Sequence, residues 1–193
     1  MAIRQTIQIG DPLLQKKNVS VTDFSSSDVQ QVIQDLKETM LSENLIGMAA
    51  PQIGENFQIF VTEPRETVNR PADQSDVFRV YINPKIIKFS KEKIEIFEGC
   101  GSVLHGQLFG PVKRSAEVTV EAFDQNGKKF QLTCDGILAR VIQHELSHLE
   151  NKTFIEEVSD YKRVMTAEFY KEKVKDSPEQ VAASHISVLH FSS

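Results

Sequence analysis

The apolar residues near the N-terminus recur with the period of an α-helix. Their spacing of three or four residues places them on one helix face; they are Val29, Val32, Ile33, Leu36, Met40 and Leu41. Three serines at positions 25–27 come just before them, and a serine hydroxyl accepts hydrogen bonds from the free N–H groups at a helix start. The pattern therefore predicts an amphipathic helix with a serine N-cap.

From residue 57 the pattern changes to short runs of β-branched and aromatic residues, which predict strands. These runs occupy residues 57–61, 77–82, 86–89, 94–97, 118–123 and 130–132. The polar residues 63–76 predict an exposed loop, and residues 124–127 have the Asp-Gln-Asn-Gly composition of a hairpin turn. We expect these strands to pair antiparallel.

A second helical pattern follows, from residue 135 to residue 149. Its apolar members recur at helical spacing and predict a largely buried helix; they are Ile137, Leu138, Val141, Ile142, Leu146 and Leu149. The same segment contains the motif His-Glu-x-x-His at residues 144–148. We therefore expect an α+β fold in which antiparallel strands pack around a central buried helix that carries this motif.

The C-terminal part of the chain shows two weaker patterns. Apolar residues at positions 161, 164, 165 and 169 predict a further helix, and those at positions 186, 188, 189 and 191 predict a strand. Both patterns lie beyond the motif helix.

Composition and charge favour one globular domain covering residues 1–193. The chain is 40% hydrophobic and 25% charged, and 22 basic against 27 acidic residues give a net charge of −5. Without a basic excess we expect no direct binding to nucleic acid or to an anionic membrane. No stretch resembles a signal peptide or a membrane span, so we expect a cytoplasmic protein in which Cys100 and Cys134 form no disulfide.

The His-Glu-x-x-His motif is typical of metal-dependent hydrolases. His144 and His148 lie about one helical turn apart, so both imidazoles can reach one ion, and Glu145 then stands beside a water molecule on that ion. Two histidines on an amphipathic helix also occur without any metal. A third ligand therefore has to decide, because a catalytic zinc-like site normally takes three protein ligands.

The residues leave several candidates for this third ligand. The extended motif with a third histidine is excluded, because its glycine and histidine positions hold Asn151 and Phe154. In thermolysin-like enzymes the third ligand is a glutamate on a helix that follows the motif, and Glu168 lies at a suitable distance along the sequence. Cys100 lies in a glycine-rich turn after a predicted strand, and its thiolate suits Zn²⁺ or Fe²⁺. His105 is a further candidate in the same region.

Three separated blocks then resemble one known family. They are Gly47-Met48-Ala49-Ala50-Pro51-Gln52, Glu98-Gly99-Cys100-x-Ser102 and Gln143-His144-Glu145-x-x-His148-Leu149. In this order they are similar to the peptide deformylases, hydrolases that remove the N-formyl group from nascent polypeptides. The resemblance covers roughly residues 8–155, and the C-terminal helix and tail at 156–193 lie outside it.

The resemblance implies a role for each matching residue. The metal ligands would be Cys100, His144 and His148, holding one divalent ion, with Fe²⁺ expected in the cell and Zn²⁺ or Ni²⁺ able to replace it. Glu145 would be the general acid and base. The side-chain amide of Gln52 and the backbone N–H of Gly101 would donate hydrogen bonds to the developing oxyanion.

The resemblance also implies a binding site for the substrate. Ile46, Ile137 and Val141 would line an apolar pocket for a methionine-like side chain, although the last two are also expected to be apolar for packing alone. Gly47 and Gly99 would offer backbone hydrogen bonds to an extended peptide. The expected partners are N-formylated nascent peptides, which implies transient proximity to the ribosome.

The sequence departs from the family pattern at four positions. Leu45 replaces a glycine, Gly101 a leucine, Ser147 an aspartate and Asn151 a glycine. None of these changes removes a ligand or the general base. Ser147 lacks the charge of an aspartate, so we expect an ion pair or hydrogen bond behind the ligands to be lost. Gly101 is expected to make its loop less rigid.

The last expectations are one ion pair near the cysteine and two alternative functions. Arg114 is expected to pair with Glu98 and to steady the cysteine loop. Two other functions stay open: a metallopeptidase that uses Glu168 as third ligand, and a binding protein that captures formylated N-termini with weak turnover.

Overall fold

The structure is a computed structural model that describes residues 2–66 and 71–193. Its helices are α1 (Ser27–Ser42), α2 (Gly136–Leu149), α3 (Ala167–Lys173) and α4 (Pro178–Ala182). Its strands are β1 (Gly47–Ala49), β2 (Ile59–Thr62), β3 (Arg79–Phe89), β4 (Lys93–Gly99), β5 (Leu108–Ser115), β6 (Glu117–Phe123), β7 (Lys129–Asp135), β8 (Met165–Thr166) and β9 (Val188–Ser192). The fold is therefore α+β, as the sequence predicted.

The strands form two antiparallel sheets. One has the order β1-β2-β3-β6-β7-β9, and the other has the order β4-β5-β8. Every pair of neighbouring strands in these sheets is antiparallel, which confirms the expected pairing. Strand β4 lies at an edge of the smaller sheet, a position that matters for the site below.

Helices α1 and α2 cover opposite faces of the larger sheet. Successive side chains of a strand point to opposite faces, and in β2 the residues Ile59 and Val61 join the cluster that contains α1, while Phe60 joins the cluster that contains α2. Helix α2 also contacts β5 of the smaller sheet. The motif helix thus contacts strands of both sheets.

Helix α1 and the C-terminal strand occur where the sequence predicted them. Ser26 is the N-cap of α1, and its hydroxyl accepts a hydrogen bond from the N–H of Val29 at 3.3 Å. Strand β9 pairs with β7. Helix α1 buries its apolar face, whereas all five residues of β9 are exposed. Strand β9 is therefore held by its backbone pairing with β7 and not by a buried side.

Other predicted boundaries were wrong. Residues 77–82 and 86–89 were expected as two strands, but β3 runs through both, with shifts of register on either side of Lys85. At the bulge Asn83 has a φ of 50°, and its side-chain amide bonds both backbone groups of Val21 at 2.8 and 2.9 Å. The chain therefore continues through Asn83 and Pro84 within one strand.

The helix expected from Tyr161 begins only at Ala167. Residues 165 and 166 form the short strand β8, and the hydroxyl of Thr166 caps α3 by accepting from the N–H of Phe169 at 3.3 Å. Strands β1, β5 and β8 and helix α4 were not predicted. In the loop expected at 63–76, Pro64 is buried and residues 72–74 form a 3-10 turn, while residues 67–70 lie outside the described residues.

Two global expectations can be compared with the described residues. Cys100 and Cys134 are both buried and free, as expected. Across residues 2–66 and 71–193, the helices are all too short or too polar to cross a membrane.

Candidate active site

The three expected metal ligands converge from two distant segments. His144 and His148 lie one turn apart on α2 with their ring centroids 5.1 Å apart. Cys100 directly follows β4, and its Sγ lies 3.2 Å from Nε2 of His148. One donor atom from each of the three residues lies within 4.8 Å of the other two. The structure thus brings together a thiol and two imidazoles, a donor set suited to Fe²⁺ or Zn²⁺.

A buried carboxylate orients the first histidine. Nδ1 of His144 lies 2.9 Å from Oε2 of Glu98, which leaves Nε2 as the ring nitrogen able to meet an ion. Glu98 also accepts two bonds from Arg114, at 2.8 and 3.0 Å, and one from Arg140 at 2.8 Å. The predicted pairing of Arg114 with Glu98 is therefore confirmed.

These contacts keep Glu98 ionised inside the protein. Burial alone would raise the pKa of its carboxyl, but the charge of Arg114 and the hydrogen bond with His144 outweigh burial and hold the pKa well below its usual value. The paired Arg114 guanidinium has a raised pKa for the reciprocal reason, since the charge of Glu98 outweighs its burial. A fixed negative charge thus lies behind His144.

Glu145 has the environment of a proton-transfer group. It is buried, and its Oε2 has no hydrogen-bond partner among the described residues. Burial raises the pKa of its carboxyl to about 7, because a charged carboxylate is poorly solvated there. A carboxyl group with a pKa close to neutrality and one free oxygen can both accept and donate a proton.

Gly47 allows β1 to approach this carboxyl group closely. A Cβ atom added at Gly47 would lie 2.5 Å from Oε1 of Glu145 and 2.5 Å from Cγ1 of Val141. Any other residue at this position would force the Glu145 side chain to move. The glycine in the first sequence block is therefore explained by packing against the motif helix.

The side chain of Gln52 presents its nitrogen to the cysteine loop. Its Oε1 accepts from the backbone N–H of Ala49 at 2.8 Å, which fixes the orientation of the amide. Its Nε2 then lies 3.6 Å from Sγ of Cys100 and 3.4 Å from Oγ of Ser102. A buried amide held in this way is a preorganised donor toward a group bound beside the thiol.

The departures at Leu45 and Gly101 lie beside each other in space. A Cβ atom added at Gly101 would lie 3.0 Å from Cδ1 of Leu45. The side chain missing at position 101 is thus replaced by the one gained at position 45. The carbonyl of Gly101 also accepts from Nε2 of Gln8 at 2.9 Å, which holds the loop despite the glycine.

The ion pair expected to be lost at Ser147 is supplied from elsewhere, so that expectation was wrong. Glu157, in a 3-10 turn after α2, accepts from Nη2 of Arg114 at 2.6 Å and from the hydroxyl of Ser147 at 3.0 Å. The fourth departure, Asn151, has a φ of 61°, which asparagine tolerates better than most residues. Neither Glu157 nor its contact with Arg114 has a local signature in the sequence.

A cavity of about 270 Å³ adjoins the donor cluster. Its lining includes all five expected substrate-binding residues, which are Ile46, Gly47, Gly99, Ile137 and Val141, together with Cys100, His144, Glu145, Gln52 and Gly101. It also includes Tyr170, Gln180 and Ser184, which the sequence analysis missed because they follow the motif region and belong to no motif.

The competing third ligands lie elsewhere. Glu168 is exposed on α3 and His105 is exposed in the loop after Cys100. Neither belongs to the Cys100, His144 and His148 group, which was found among the described residues. The geometry therefore favours the thiol over the carboxylate as third donor.

Two imidazoles and a thiol beside a buried glutamate and a cavity are the groups expected at the site of a metal-dependent hydrolase. The model of the polypeptide deformylase family matches residues 3–164. The chain belongs to this family, whose members are metalloenzymes that act on N-formylated nascent peptides.

Individual relatives agree with this assignment. Peptide deformylase 2 of Nostoc is 34% identical over 168 residues, which are 87% of this chain and 93% of the relative. The peptide deformylase of Pseudothermotoga lettingae is 39% identical over 155 residues, 80% of this chain and 82% of the relative. The Met-Ala-Ser-bound class I type b enzyme of Acinetobacter baumannii has a TM-score of 0.74 at 27% identity, covering 81% of this chain and 99% of that one.

Proposed function

We propose that this chain removes the formyl group from peptides that begin with N-formylmethionine, using one divalent metal ion held by Cys100, His144 and His148. The observation that carries the proposal is the convergence of these donors beside Glu145, whose Oε2 has no hydrogen-bond partner in the part of the chain that the structure describes. The donor set fits the ion, because thiolate and imidazole ligands suit Fe²⁺, Zn²⁺ and Ni²⁺ and do not suit Mg²⁺ or Ca²⁺. In the cell we propose Fe²⁺, with Zn²⁺ or Ni²⁺ able to take its place.

The residues around the donors divide the chemistry between them. A divalent ion bound there supplies Lewis acidity, which polarises a carbonyl group and makes water more acidic. Glu145 accepts the proton of the attacking water and delivers it to the nitrogen of the departing amine, so that formate and a free N-terminus result. The Gln52 amide and the N–H of Gly101 donate to the developing oxyanion, where one such donor contributes about 3 kcal/mol.

The cavity accounts for the recognition of the peptide. Ile46, Ile137 and Val141 supply an apolar surface for the methionine side chain. Gly47 and Gly99 offer backbone groups to the peptide, and Gly99 ends β4 at an edge of its sheet, where an extended chain can add as a further strand. We assign the reaction to nascent chains near the ribosome in the cytoplasm, without direct binding of nucleic acid or membrane.

Formate release from formyl-Met-Ala-Ser by anaerobically purified, metal-analysed protein tests this function. We expect turnover by the wild type and a loss of at least 100-fold in Glu145→Gln, which keeps the shape of the side chain but not its proton transfer. Cys100→Ala is expected to lose the metal, whereas its matched control Cys134→Ala, changed at the other buried thiol, keeps it.

Two results would contradict the proposal. Glu145→Gln protein that retains full turnover would exclude its role as acid and base. Wild-type protein that binds the formylated peptide and metal but releases no formate would instead be a binding protein for formylated N-termini.

A further inference from the structure

The chain beyond the family match forms one wall of the active-site cavity. The match ends at residue 164, yet Tyr170 of α3, Gln180 of α4 and Ser184 line the cavity together with the motif helix. The hydroxyl of Ser184 donates to the carbonyl of Gln180 at 2.8 Å, which ties the end of this wall to α4. Residues that no family motif includes are thus in contact with the space proposed for substrate.

Gln180 bonds to the edge of β4 as a neighbouring strand would. Its Oε1 accepts from the N–H of Phe97 at 3.0 Å, and its Nε2 donates to the carbonyl of Phe97 at 3.1 Å. The same Nε2 donates to the hydroxyl of Tyr170 at 3.1 Å. Gln180 is only 7% exposed, so these bonds satisfy a buried amide and fix its position.

This position lies next to the peptide-binding part of the same edge. Residues two apart on a strand direct their backbone N–H and C=O groups to the same side. The groups of Phe97 and Gly99 therefore point to the same edge of β4, whose other side pairs with β5. Because Gln180 occupies the groups of Phe97, strand pairing by a bound peptide ends at Gly99.

Tyr170 also supports Gly99 through an aromatic stack. Its ring lies on that of Phe109 with a centroid distance of 4.0 Å and an angle of 6°. A Cβ atom added at Gly99 would lie 2.7 Å from Cζ of Phe109, so the stack closes the space beneath this glycine. The tail thus contacts the exposed edge directly at Phe97, and it reaches Gly99 only through the ring of Phe109.

We propose that Gln180, held by Tyr170, is a specificity-determining residue. Its side chain limits the length and width of the pocket for the first side chain of the substrate, so that an unbranched side chain such as methionine fits and a bulky aromatic one does not. The inference rests on the proposed function, because it assigns the cavity to the first residue of a formylated peptide.

The test compares kcat/KM for formyl-Met-Ala-Ser and formyl-Phe-Ala-Ser. We expect Gln180→Ala to lower the preference for methionine by about tenfold, since it removes the atoms that exclude the larger ring. The change should appear mainly in KM for the phenylalanine peptide. The control Glu179→Ala changes an exposed residue of the same helix and should leave the preference unaltered.

A second variant has the opposite effect on pocket size. Ser184→Leu adds volume to the same wall, so we expect it to lower activity on formyl-Met-Ala-Ser by about tenfold relative to formyl-Ala-Ala-Ser. If thermal unfolding shows that Gln180→Ala does not fold, the substrate preference of Ser184→Leu tests the same wall of the pocket. Preferences equal to those of the wild type in the folded variants would overturn the inference.

Failure of the proposed function gives a different result. In that case the wild type releases no formate from any of these peptides. The shift in unfolding temperature produced by Met-Ala-Ser and Phe-Ala-Ser then measures the selectivity of the cavity in the same variants. A preference that changes in Gln180→Ala supports the pocket role without the reaction, and an unchanged preference excludes it.

Discussion

Glu157→Ala should weaken the support of His144, one of the proposed metal ligands, although the two residues do not share an element. Arg114 is buried and donates two bonds to Glu98 and one to Glu157, and Glu98 in turn orients His144. A hydrogen bond to a charged group contributes about 1.5–3 kcal/mol. The Glu157 side chain is 27% exposed, so water replaces part of this interaction and we expect a loss of about 1–2 kcal/mol of folding free energy.

The assay combines denaturant unfolding with competition for the metal by a chelator. We expect metal affinity to fall about tenfold, the lower end of the range for residues that orient ligands. Ser147→Asp in the Glu157→Ala background should recover most of both losses, because Oγ of Ser147 already lies 3.3 Å from Nη1 of Arg114. This double variant restores the aspartate that is usual in the family.

The matched control is Glu150→Ala. Glu150 forms an exposed ion pair with Lys152 at 3.1 Å, and such pairs contribute under about 1 kcal/mol. Equal effects of Glu157→Ala and Glu150→Ala would refute the reasoning. Failure of Ser147→Asp to restore metal affinity, in a folded double variant, would show that the charge beside Arg114 does not act through Glu98.

Three further changes have defined outcomes. Gly47→Ala should fold, but its rate of formate release should fall on the order of 100-fold, because the added Cβ displaces Glu145. Normal turnover would exclude close packing of Gly47 against Glu145. Gly136→Ala should lower the free energy of unfolding by at least about 1–2 kcal/mol, because Gly136 has a positive φ and an added Cβ overlaps the carbonyl of His185. Limited proteolysis should therefore release the tail earlier than in the wild type. Burial raises the pKa of the Cys134 thiol to about 12, so native protein at pH 8 should resist alkylation there and urea-unfolded protein should not.

The chain by itself determined the elements whose signal is local. The three-and-four spacing from Val29 and from Ile137 predicted helices α1 and α2, because burying one face of a helix requires that period. The motif spacing placed His144 and His148 on one side of α2. The resemblance to the family selected Cys100, whereas the residues alone had also left Glu168 and His105 open.

Only the tertiary structure decided which distant residues meet. The contact of Leu45 with Gly101 and the carboxylate of Glu157 beside Arg114 compensate for departures that the sequence suggested were losses. Gln180 reaches the active-site cavity because α4 packs on the edge of β4. Such contacts depend on strand order and on how the chain returns across it, and a pairing between residues tens of positions apart leaves no periodic trace in the sequence.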